Sequence, residues 1–162
     1  MKANPKGVGL SNIRELAPSQ GVAEDAEAGI RYLRVLPDVR SDRMGVVGFC
    51  WGGGMAFITA TQAHDLKATV VYYGASPSPL DLVKNIQAPV LANYAEKDPN
   101  IDKGIPDTEA AMKKYNKVYD YKIYPGTQHA FNNDTNPERY NAQAAKEAWE
   151  RTMEFFKKNL KT

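Results

Sequence analysis

Met44-Gly45-Val46-Val47-Gly48-Phe49-Cys50-Trp51-Gly52-Gly53-Gly54-Met55-Ala56 is the stretch that decides the fold. An apolar run leads into a polar residue flanked by glycines, and small residues at helical spacing lead out. The pattern predicts a strand, a sharp turn and a helix. Gly48-x-Cys50-x-Gly52 has the spacing of a nucleophile elbow, with sulfur in place of the usual serine oxygen. Such a turn holds its central residue in a strained conformation, and its neighbours pass so closely that a Cβ at Gly48 or Gly52 is expected to clash. The side chain is thereby presented at the carboxyl end of the strand, over a helix N-terminus that favours negative charge.

Outward from the elbow, strands and helices alternate. Upstream, Val22, Ala26, Ile30 and Leu33 share one helical face from about Ser19, and Pro37 ends that helix. A turn over 37–42 leads into the strand Arg43–Phe49, and the helix after the elbow runs from Trp51 to about Ala63. Downstream, strands are expected over Ala68–Gly74, Ala88–Tyr94 and Asp120–Tyr124. Between them lie a short helix over Leu80–Ile86, a polar loop over Glu96–Lys103 and a helix from near Pro106 to about Asn116. After a long loop over 125–137, Ala145, Ala148, Trp149, Thr152, Met153, Phe156 and Leu160 form the apolar stripe of a C-terminal helix. The alternation predicts an α/β fold: a parallel sheet of about four strands with helices on both faces. Residues 1–18, rich in Gly, Pro, Ser and Asn, read as a flexible lead-in, and 19–162 as a single domain.

Composition narrows the function. The chain has 162 residues, 43% hydrophobic and 25% charged, with a net charge of +2. That charge is too small for a nucleic-acid or membrane surface. No apolar stretch approaches the ~20 residues of a membrane span. One cysteine rules out an internal disulfide and fits a reducing compartment, so a cytoplasmic location is expected. With His64 and His129 as the two histidines, a His/Cys zinc site is disfavoured on count, and no metal or cofactor is expected.

Sheets of this kind carry their sites at the carboxyl ends of the strands. Cys50 follows the first strand, Asp98 the third and His129 the fourth. A nucleophile, an acid and a histidine in that order is the α/β-hydrolase arrangement. Each residue also has a plainer reading. A lone cysteine is most often a small buried hydrophobe. A Gly-rich turn can cradle phosphate, but here no lysine and no Ser/Thr follows the glycines. Asp98 competes with Glu96, Asp102 and Asp107; Asp107 suits a helix's first turn, and Glu96 and Asp102 suit solvent. His64 suits a cap on the last carbonyls of its helix. Trp51, Tyr94 and Phe131 are candidates to line an apolar substrate pocket, with simple core packing the equal alternative for each.

Gly-Phe-Cys-Trp-Gly-Gly at 48–53, Glu-Lys-Asp at 96–98 and Tyr-Pro-Gly-x-x-His-Ala-Phe at 124–131 resemble the dienelactone hydrolase family, or carboxymethylenebutenolidases. The resemblance runs from about residue 20 to the C-terminus. It implies a hydrolase acting on a small ester or lactone, with Cys50 as nucleophile, His129 as base, Asp98 orienting His129, and the Trp51 backbone N–H donating to the oxyanion. Two departures accompany it. Family members carry further strands before the helix near Ser19, and the chain is expected to lack them, with one oxyanion amide, a glutamate and an arginine. Four residues after the histidine, where the best-known members place a carboxylate-binding arginine, stands Asn133. The alternative is a non-catalytic half-domain acting by association. A homodimer through the edge of the Cys50 strand is expected.

Overall fold

In a computed structural model, residues 19–161 are described; the expected lead-in over 1–18 lies outside them. The elements are α1 (Ser19–Arg34), β1 (Gly45–Phe49), α2 (Trp51–Ala60), β2 (Ala68–Tyr72), a 3₁₀ turn (Leu80–Asn85), β3 (Val90–Lys97), the short α3 (Pro99–Asp102), α4 (Ile105–Lys114), β4 (Tyr119–Gln128) and α5 (Ala142–Leu160). The four strands pair in the order β1-β2-β3-β4, all parallel. This is the expected α/β architecture, and each carboxyl end points the same way.

The two faces separate by residue parity, as a pleated strand requires. Val71, Val90, Ala92 and Tyr94 face a core closed by Phe57 of α2, Val83 and Ile86 of the 3₁₀ turn, and Ile105 and Met112 of α4. Val70, Tyr72, Leu91 and Ala95 face the opposite side, where Ala144 and Ala148 of α5 close a second core. β2 is buried at all five positions, which is why its sequence shows no alternation of apolar and polar residues. At the foot of β1, Ile30 of α1 packs with Met44, Val46, Ala63 and Leu66. In α1 it is Ala23 that is fully buried, whereas Leu33 is exposed, so the helix turns a narrower stripe inward than its spacing suggested.

Among the described residues β1 has a strand partner on one side. Val47 and Phe49 remain 38% and 39% exposed along it. Phe49 stacks on Tyr72 with ring centroids 4.6 Å apart. The Tyr72 hydroxyl lies 2.8 Å from Thr152 Oγ1 in α5. Because that threonine donates its own hydrogen to the Ala148 carbonyl, Tyr72 is the donor. The bond fixes α5 against the middle of the sheet.

Several boundaries differ from those expected. The polar segment after β3 contains a helix: Pro99 enters at its first turn and Asp98 is its N-cap residue. β4 runs on to Gln128 because it re-pairs with Lys97 after an irregularity between Ala95 and Lys97. α2 ends at Ala60, where the Thr61 amide and hydroxyl bond back to Ile58 O. His64 therefore sits past the helix end, exposed, and the cap expected of it is supplied by Thr61.

Candidate active site

Cys50 adopts φ 57° and ψ −125°, between the end of β1 and the first residue of α2. Its amide still belongs to the sheet, donating to Tyr72 O at 3.0 Å. Its carbonyl already accepts from Gly53 and Gly54. Strand and helix thus meet at one residue, which leaves the thiol projecting. The crowding around the turn falls on Gly48, Gly53 and Gly74. A Cβ on Gly48 would lie 1.9 Å from Gly52 O, one on Gly53 2.5 Å from Tyr72 O, and one on Gly74 2.3 Å from the Gly54 amide nitrogen. Gly52, by contrast, has open space where a Cβ would stand. The clash expected there is absent because residue 52 points out of the first turn of α2, whereas Gly53 points into the sheet.

The three residues singled out at the strand ends come together. His129 Nε2 lies 2.9 Å from Cys50 Sγ. His129 Nδ1 is hydrogen-bonded to Asp98 Oδ2. Asp98 is almost fully buried and His129 partly exposed. A carboxylate accepts at Nδ1, so the imidazole carries its hydrogen there and turns its Nε2 lone pair to the thiol. This geometry can move a proton from sulfur to nitrogen and hold the resulting imidazolium against a carboxylate.

The acids expected to be solvated have structural tasks around Asp98. Glu96 Oε2 accepts from the Gly126 amide at 2.8 Å, tying the end of β3 to the segment that carries His129. Asp102 Oδ2 accepts from the Asp98 amide at 3.2 Å. Burial holds the Asp102 carboxyl above its ordinary value, with the charges of Asp98 and Glu96 adding to it, while the Asp98 amide pulls it down. Asp107 lies in the first turn of α4, as its position suggested.

A cleft of about 380 Å³ opens over the three residues. Trp51 and Ala75 form part of its wall, with Asn100 and Ile101 of α3 and Tyr73 beyond β2. The Trp51 amide is at the first position of α2 and faces no earlier helical carbonyl, so it is free to donate. Two expected lining residues are elsewhere. Tyr94 is 1% exposed, turned to the α4 side of the sheet, with its hydroxyl 2.9 Å from that of Tyr119. Phe131 is fully buried behind Tyr73 at 5.4 Å between centroids, so it supports the histidine loop and does not line the cleft. Asn133 is turned into its own loop, its Oδ1 accepting from the Thr135 amide and hydroxyl.

Tyr73 is the residue that sequence reasoning passed over. Its φ of 37° turns its ring back to the α5 side, 5.0 Å from the His129 ring. Burial raises the Tyr73 hydroxyl above its ordinary value, the nearby Cys50 adding to it. Ala130, next to the histidine, is also at positive φ, 67°. Strained backbone therefore clusters around the cleft at Cys50, Tyr73 and Ala130. The usable signal was positional: Tyr73 closes β2 as the other candidates close their strands.

Residues 9–160 match the model of the dienelactone hydrolase family. A "Putative carboxymethylenebutenolidase" of Saccharolobus solfataricus is 47% identical over 112 residues, covering 69% of this chain and 43% of that protein. A Bradyrhizobium protein named "Probable 2-oxo-3-(5-oxofuran-2-ylidene)propanoate lactonase" is 33% identical over 157 residues, covering 90% of this chain and 62% of its own length. Among solved structures, a "Putative Dienelactone Hydrolase" of Klebsiella pneumoniae superposes with TM-score 0.79 at 28% identity, over 86% of this chain and 61% of that one. A dienelactone hydrolase-like phosphotriesterase from metagenomic libraries shares the fold, with TM-score 0.84 at 20% identity, over 94% of this chain and 68% of that one. The chain spans about half the length of these two curated relatives.

Proposed function

The chain belongs to the dienelactone hydrolase family, and from that premise we propose that it cleaves a small ester or lactone through Cys50, His129 and Asp98. The observation that carries the reading is the 2.9 Å approach of His129 Nε2 to Cys50 Sγ, with Asp98 on the far ring nitrogen. Cys50 gives its proton to His129 and attacks the carbonyl carbon, and the carbonyl π pair moves to oxygen. The Trp51 amide donates to that oxyanion. The tetrahedral species collapses, expelling the alkoxide, which takes the proton from the His129 imidazolium. This leaves a thioester on Cys50. Water then attacks the thioester with His129 as base, and the thiolate departs from the second tetrahedral species and recovers a proton from the His129 imidazolium, releasing the acid. Asp98 keeps the imidazole in one tautomer throughout and stabilises its charged form.

The test is turnover of p-nitrophenyl acetate by the chain and by Cys50→Ala, with titration of the thiol. Turnover that disappears with the sulfur supports the reaction. An unreactive chain whose thiol behaves like free cysteine supports the alternative, in which the residues persist without turnover and the chain acts by association. Val47 and Phe49, partly exposed along β1, which has a strand partner on one side among the described residues, are the observation favouring that alternative.

A further inference from the structure

A second cavity, of about 280 Å³, adjoins the cleft over Cys50. Trp51 and Ala75 line both, so the two are halves of one groove with the indole at their junction. The second half runs between α2, which contributes Met55 and Ile58, and the loop after β2, which contributes Ser76 and Ser78. No charged side chain lines it among the described residues. Ser76 has no hydrogen left to give a ligand: its hydroxyl donates to Thr108 Oγ1, which gives its own hydrogen to Gly104 O.

We infer that this half of the groove is the subsite for an uncharged, apolar arm of the substrate, and that Trp51 determines which arms enter it. The inference rests on the hydrolase reading for the word substrate, though not for the site itself. The chemistry of the walls selects the class. A thioether, a branched alkyl chain and an indole reward burial of methylene or aryl surface, and no cation stands among them to offset the charge of a carboxylate. Asn133, at the position where family resemblance expects a carboxylate-binding arginine, is committed to its own loop. An alkyl or aryl ester, or a lactone bearing an alkyl or aryl substituent, meets these walls; a dianionic or carboxylate-rich lactone does not.

The single cysteine gives a probe that needs no turnover. S-alkyl methanethiosulfonates transfer their alkylthio group to a thiolate: the Cys50 sulfur bonds to the sulfenyl sulfur, the S–S bond of the reagent breaks, and methanesulfinate leaves with its electron pair. The rates of capture of the pentyl and methyl reagents are measured, with the same ratio for glutathione as reference. The groove should raise the pentyl-to-methyl ratio about tenfold over glutathione, from burial of a few methylenes in a half-open groove. Ile58→Asn, which makes the floor polar, and Ser78→Trp, an exposed position where an indole fills the groove, should each return the ratio to within about twofold of glutathione. A ratio equal to that of glutathione in the unaltered chain overturns the subsite, as does a raised ratio that neither variant lowers. If Ile58→Asn does not fold, Ser78→Trp decides. A raised ratio with no ester turnover leaves the subsite standing and sinks the hydrolase reading; turnover with a flat ratio does the reverse.

Discussion

The Glu96 carboxylate accepts a hydrogen bond from the Gly126 amide at 2.8 Å, across the gap between the β3 end that carries Asp98 and the β4 end that leads to His129. One exposed acid thus sets the spacing between two residues that must meet. Glu96→Ala should lower kcat by about threefold to tenfold, the loss of roughly one charge-assisted bond at a solvated position, with KM little changed. Glu96→Gln, which keeps an acceptor oxygen, should recover most of the rate. Steady-state kinetics on both variants checks this, and an unchanged kcat in the alanine variant sinks it.

Asp98 is bonded to His129 Nδ1. An amide in its place keeps the shape but can offer its NH₂ to that nitrogen, which favours the tautomer with hydrogen facing the thiol. Asp98→Asn should cost about 10³- to 10⁴-fold in kcat/KM while leaving the thermal unfolding profile near that of the parent. A loss below about tenfold would mean that His129 holds its tautomer without the carboxylate.

Gly74 admits no side chain, because a Cβ there would lie 2.3 Å from the Gly54 amide nitrogen and within 2.8 Å of the Gly53 backbone. Both obstacles are main chain and cannot swing aside. Gly74→Ala should destabilise the fold by about 3 kcal/mol, the upper end for overpacking, whereas Gly52→Ala, with open space, should be close to neutral. Urea unfolding of the pair measures the contrast; equal midpoints would contradict the packing of the elbow.

Burial pushes the hydroxyls of Tyr72 and Tyr94 up to about 12 from the ordinary 10.0. Burial also raises those of Tyr73 and Tyr119. Each folded value lies above the unfolded one, so the contribution to stability is whole below pH 10 and is lost as pH rises from 10 through 12. These four tyrosines should therefore ionise together as the fold gives way, their tyrosinate absorbance rising in step with loss of far-ultraviolet ellipticity. Ionisation of the four near 10 with the ellipticity intact would contradict this burial.

The sheet could be read from the sequence because β1, β2 and β4 are each bounded by turn residues and because the elbow glycines mark one junction unmistakably. The meeting of Cys50, Asp98 and His129 could be anticipated because each ends a strand of a parallel sheet, which places them at one edge whatever the loops do. Each departure has its own cause. β3 is buried on both faces, so its sequence has no polar alternation to show which way a side chain points, and Tyr94 looked as available to the cleft as Asp98. Phe131 is close to His129 along the chain, but after the positive-φ residue Ala130 it is fully buried. Tyr73 was missed because Tyr-Tyr reads as plain β-strand, and a φ of 37° leaves no trace in composition. Glu96 and Asp102 looked idle because their partners are backbone amides, which no residue pattern names.

Tyr72 and Tyr73 are consecutive, yet the first is bonded to Thr152 of α5 and the second lies against His129. A change at position 152 is therefore one peptide unit from the ring that supports the imidazole. In the history of such a chain the closing helix and the histidine loop are not free to drift independently. Replacements at 152 should be tolerated mainly alongside compensating ones at 72, 73 or the loop, and related sequences compared across these positions should vary together.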